Sequence, residues 1–94
     1  VRALRNQEGA ALSVHAIADG QAEALEFCVD DDTRHIGEPL KKLHLKKNVL
    51  IVCITHKGKQ EIPGGDSFYE KGDTVIVVTS RDAVIYQLND IFEA

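Results

Sequence analysis

The chain has 94 residues, 44% apolar and 28% charged, with a formal charge of −4 and an isoelectric point near 5.5. That length makes one domain, or one domain with an appended segment, and its thin stability margin would be widened by a partner subunit. The acidic balance and an aromatic content of 5% argue against the basic stripe or stacking platform of a nucleic-acid binder.

Residues 1–10 show little apolar periodicity and read as a linker arriving from a preceding domain. The opening Val1-Arg2-Ala3-Leu4-Arg5 lacks the hydrophobic core of a signal peptide, and no apolar run approaches the ~18 residues that span a bilayer. The chain starts without Met and contains none, which is expected of a piece cut from a longer protein.

Next, the runs 11–17 and 22–29 flank Asp19-Gly20, a hairpin signal because Gly20 supplies the positive φ that the turn needs, although the first run also fits a helix. Leu25, Phe27 and Val29 share one face by the two-residue period. After the acidic break Asp30-Asp31-Asp32, the residues Ile36, Leu40 and Leu43 recur at helical spacing. A short helix is expected there, with Pro39 in its first turn.

Val49 to Thr55 is nearly all apolar and reads as a central strand buried on both faces. Gly58 marks a turn before Gln60-Glu61-Ile62, Pro63-Gly64-Gly65 marks a loop, and Gly72-Asp73 marks a second turn. Val75 to Val78 is expected to be a second buried strand. Ser80 then looks like an N-cap for a closing helix whose apolar face holds Val84, Ile85, Leu88, Ile91 and Phe92. The resulting order is β-β-α-β-β-β-α: an α+β domain with a mixed or antiparallel sheet of four to five strands and two helices.

Chemistry-bearing patterns are sparse. No Gly-x-Gly-x-x-Gly turn is present, so this segment carries no dinucleotide site. Four His, two Cys and the Asp30–Asp32 run lack metal-ligand spacing, and a solvated acidic loop is expected instead. Cys28 and Cys53 stand in apolar runs and read as reduced, buried thiols. No nucleophile has a local activating motif, so an enzyme is not expected. Lys41, Lys42, His44, Lys46 and Lys47 form a basic cluster in an acidic chain. It is either a solvated helix face or an anion pocket at a subunit boundary.

The pattern Leu25-Glu26-Phe27-x-Val29, Ile36-Gly37-x-Pro39-Leu40-x-x-Leu43, the strand 49–54, Ile62-Pro63 and Gly72-Asp73-x-Val75-x-Val77 resembles the RCK C-terminal domain family. The phrase Asp19-Gly20-Gln21-Ala22-Glu23-Ala24-Leu25-Glu26 is similar to the TrkA-type members, regulators of potassium uptake. The likeness covers nearly the whole chain, 11–94 being the regulatory domain. It implies a homodimer or higher homo-oligomer on the cytoplasmic face of the membrane, coupling ligand state to a membrane potassium-translocating subunit. NAD(H) and ATP are implied only for N-terminal domains that this chain lacks. Some relatives bind a small-molecule effector, cyclic di-AMP, between two C-terminal domains. Lys46, Lys47, Asn48 and Pro63 are the candidate ligand-binding residues on that likeness. Leu50 stands where those relatives use an Asn, so the group that reads a base edge is missing.

Overall fold

Asp19-Gly20 lies where the chain first reverses. Ala18, Asp19 and Gly20 all take positive φ (51°, 57° and 84°), a tight left-handed corner that Asp and Gly tolerate. The corner joins β1 (Ser13–Ile17) to β2 (Ala22–Cys28) as an antiparallel hairpin, Ile17 opposite Ala22 and Val14 opposite Leu25. The computed structural model describes residues 12–80 and 82–93, so the linker expected over 1–10 lies outside the described residues.

β3 (Val49–His56), β4 (Lys59–Glu61) and β5 (Thr74–Ser80) complete one antiparallel sheet in the order β1-β2-β5-β3-β4. β5 is central, paired with β2 through Val75–Phe27 and Val77–Leu25, and with β3 through Val75–Ile54 and Val77–Ile51. Val52 is an extra residue at a bulge between the Ile51 and Cys53 pairings. The β3–β4 corner again uses positive φ, at Lys57 and Gly58.

Neither long strand is buried on both faces, which corrects the expectation drawn from their apolar runs. β5 alternates strictly, with Val75, Val77 and Thr79 buried and Ile76 and Val78 only partly so. In β3, Val49 and Ile54 are buried while Leu50 is 65% exposed. The reason is that one layer of connecting segments covers one face of the sheet. Phe27, Tyr69, Val75 and Val77, all at 0% exposure, meet Ile85, Leu88, Ile91 and Phe92 in a single core there.

The two expected helices are absent among the described residues, and the α+β assignment is corrected to an antiparallel sheet under loops. Residues 36–43 do not form a helix because His35 and Gly37 take positive φ and Pro39 is extended. Only Leu40–Lys42 makes a single 3-10 turn. The donors an α-helix would use internally go elsewhere: Gly37 N–H to Tyr69 O, Leu40 N–H to Ser67 O and Lys41 N–H to Gly65 O. Gly65 permits that approach, since a Cβ there would lie 3.3 Å from Lys41 Cβ.

The closing segment is likewise irregular. Ser80 is the last residue of β5, Val84 is exposed, and among the described residues after it only Leu88–Ile91 forms a 3-10 turn. Its apolar spacing is met by burying Ile85, Leu88 and Ile91 as a loop. Its end pairs with residues 44–46, through a Leu45–Phe92 bridge, Lys46 N–H to Ile91 O and Glu93 N–H to His44 O.

Tyr69 fixes the covering layer to the sheet. Its ring is fully buried and its hydroxyl donates to the Arg34 carbonyl at 2.5 Å. Burial, aided by the negative charge of Glu38, raises its pKa well above the ordinary 10.0. A proton held more tightly when folded adds stability below pH 10 that is lost as pH rises beyond it. Tyr69→Phe is therefore expected to lower stability by about 1–3 kcal/mol at neutral pH, by orphaning the Arg34 carbonyl. Urea melts at pH 8 and pH 11 should show a smaller alkaline loss in the variant than in the parent.

Candidate functional site

The candidate ligand-binding residues stand at two points of the chain, 46–48 before β3 and Pro63 after β4. Lys46, Lys47 and Asn48 are consecutive, exposed, and lead into β3. Asn48 sits at φ 66°, a left-handed residue whose carbonyl accepts Ser80 N–H at 3.1 Å, so its position is explained by the turn it makes. Pro63 follows β4, whose last residue Glu61 pairs with Ile54 far along β3. No ladder pairing carries Pro63 to the start of that strand.

The rest of the basic cluster lies on the single 3-10 turn Leu40–Lys42 and the chain after it, not on an α-helix face. Lys41 reaches Asp66 at 2.7 Å, an exposed pair of little energetic weight. His44 is exposed, with its carbonyl engaged by Glu93. Arg34 lies 5.6 Å over the Phe92 ring, and His35 meets the same ring edge-on at 4.7 Å while its Nδ1 contacts Glu38 at 2.8 Å. These contacts hold the closing segment down.

A cavity of about 210 Å³ opens beside the acidic loop, lined by Cys28, Asp30, Asp32, Thr33, Gln87, Leu88 and Asn89. Its polar groups are occupied by local structure. Asp30 Oδ1 accepts from Asp32 N–H and the Thr33 hydroxyl, and Thr33 Oγ1 accepts from Asp30 N–H. Asn89 accepts from Arg34 N–H and donates to the Asp32 carbonyl, both at 2.8 Å. Among the described residues, no three His, Cys, Asp or Glu side chains group to hold a metal. Cys28 is exposed and Cys53 half-buried, which corrects the expectation of two buried thiols.

The constellation that sequence reasoning missed is His56 with Asp73. Asp73 is 3% exposed, and its Oδ1 lies 2.6 Å from His56 Nδ1. Its Oδ2 accepts Glu70 N–H at 2.9 Å. Backbone bonds from Val29 N–H to Asp73 O and from Gly72 N–H to Val29 O tie the same corner to the end of β2. Gly72, at φ 92°, makes the approach feasible. Nothing in the spacing of His56 and Asp73 signals their meeting; the only hint is an Asp directly after a turn Gly. The node joins three segments and so fastens them to one another.

No family model matches the chain. Curated relatives do. The Trk system potassium uptake protein TrkA homolog of Pyrococcus horikoshii is 36% identical over 64 residues, 67% of this chain and 28% of that protein. Its namesake from Archaeoglobus fulgidus is 32% identical over 74 residues, 79% of this chain and 17% of that protein. Over the part of these proteins that it spans, the chain is TrkA-like. With its motifs, these matches support a TrkA-like RCK C-terminal domain. The Mycobacterium tuberculosis TrkA protein adds 31% identity over 64 residues, 68% of this chain and 29% of that protein. The domain thus spans under a third of the length of these relatives.

Within this RCK-type domain, Asp73→Ala is expected to cost about 1–3 kcal/mol, because the Glu70 N–H loses its acceptor in a buried corner. Chemical denaturation of the variant measures the loss, and an unchanged midpoint would remove Asp73 from the list of fastenings.

Proposed function

We propose that this chain is the regulatory, dimerising domain of a potassium-uptake regulatory subunit. In this reading it is not an enzyme. It lies at the cytoplasmic face of the membrane and relays ligand state, sensed by other domains, to a membrane potassium-translocating partner. The observation that carries the reading is its likeness to proteins named for Trk potassium uptake. The geometry supports a relay: polar groups on Asp73, His56 and Tyr69 fasten segments to one another. A relay functions if ligand or partner binds one arrangement better than another, and a few kcal/mol of differential affinity shifts such an equilibrium appreciably.

The test uses the parent protein. Phe27→Ala, which removes a fully buried ring at about 3–5 kcal/mol, is expected to unfold this domain alone. Ligand-dependent control of rubidium uptake should then be lost. Unaltered uptake with an unaltered ligand response would overturn the reading. The second reading, an effector sensor at Lys46, Lys47, Asn48 and Pro63, predicts heat on titration with cyclic di-AMP. It also predicts that the heat is abolished in Lys46→Glu/Lys47→Glu. Absence of heat in the parent removes that reading.

A further inference from the structure

We infer that His56 is a phosphorylation site, its Nε2 accepting a phosphoryl group from a donor with a labile P–N bond, a phosphoramidate. Asp73 positions the ring for this. Its carboxylate lies 2.6 Å from Nδ1 and is itself held by Glu70 N–H at 2.9 Å, so the imidazole is kept in one orientation. A carboxylate only accepts, so a neutral imidazole beside it keeps its proton on Nδ1 and presents a lone pair on Nε2. That second nitrogen makes no hydrogen bond among the described residues, and the His56 side chain is 48% exposed. The corner next to it is open, since even a Cβ built on Gly58 would meet nothing within 4 Å.

The charges around the ring select the ligand. Lys59 stands directly opposite His56 in the β3–β4 ladder and so shares its face, while Lys57 turns the corner at φ 49°. Both lysines are exposed, and neither forms an ion pair among the described residues. Glu61 is two residues farther along β4, opposite Ile54. A metal cation at Nε2 would be repelled by the two ammonium groups, whereas the oxygens of a phosphoryl group would be attracted to them.

The step balances without a further reactant. The Nε2 lone pair attacks phosphorus and a new N–P bond forms. The donor's own P–N bond breaks, and its nitrogen, protonated beforehand, departs as ammonia with the electron pair of that bond. The ring, still protonated at Nδ1, has become a phosphoimidazolium whose positive charge faces the Asp73 carboxylate. An oriented base with a carboxylate behind it is the arrangement that stabilises such a cation as it forms.

The chain's four histidines allow a competition within one sample. The folded chain is treated with potassium phosphoramidate, and phosphorylation at each histidine is followed by phosphorus NMR and by mass spectrometry. His56 is expected to react about 10-fold faster than the exposed His15 and His44, and to carry its phosphoryl group on Nε2. His35, whose Nδ1 meets the half-exposed Glu38 and whose ring lies against Phe92, should lag as well. Asp73→Asn keeps an acceptor for Nδ1 but removes the charge, and should bring His56 down to the rate of His15 and His44, with circular dichroism as the check on folding. Should that variant fail to fold, Lys59→Gln, at an exposed position, takes its place; it should slow His56 and leave the other three histidines unchanged. A His56 no faster than His15 and His44, a product on Nδ1, or a rate indifferent to the folded variant overturns the assignment.

Discussion

The fold hangs on β5. It is the only strand hydrogen-bonded along its length to two long neighbours, and its inward residues Val75, Val77 and Thr79 are the floor of the core. β2 and β3 are far apart in sequence and never pair with each other; β5 alone sets their register relative to one another. That strand arrives near the end of the chain. The sheet therefore closes late, through contacts between distant residues, and the first hairpin must wait for its partner. A topology of this kind folds more slowly than a helical one of equal size.

Because the layer over the sheet contains no α-helix among the described residues, it cannot satisfy its own backbone groups. It does so by pairing loop with loop: residues 37–41 with 65–69, and 44–46 with 91–93. Side chains lock these pairings in place. Tyr69 holds the first to Arg34, Asn89 ties the closing segment to the acidic turn, and Asp73 binds the β3–β4 corner to the start of β5. Buried polar groups are tolerable here because each has a partner; among the described residues none is left unsatisfied.

Much of the sheet was legible in the sequence, and the reasons are local. Asp19-Gly20, Gly58 and Gly72-Asp73 bracket runs whose two-residue period matches the pleat. What misled was the spacing of Ile36, Leu40 and Leu43, and of Val84 through Phe92. An apolar residue every three or four positions serves a loop lying on a core as well as a helix, and the donors bound by residues 65–69 decide between them. The apolar runs of β3 and β5 misled in a second way, since they suggest cover on both sides where a single copy supplies it on one. The basic cluster was visible, but where β4 stops, two residues before Pro63, is encoded in no motif.

The bulge at Val52 has an evolutionary corollary. On either side of it β3 keeps strict alternation, Ile51 and Ile54 turned inward, Leu50 and Cys53 outward. Removing one residue elsewhere in the strand would turn everything beyond it inside out. Loss of Val52 alone would leave the parity of all the others intact. Kindred chains that differ in length by one residue in this strand are thus expected to carry their gap at this position, and an alignment that puts it elsewhere is misplaced.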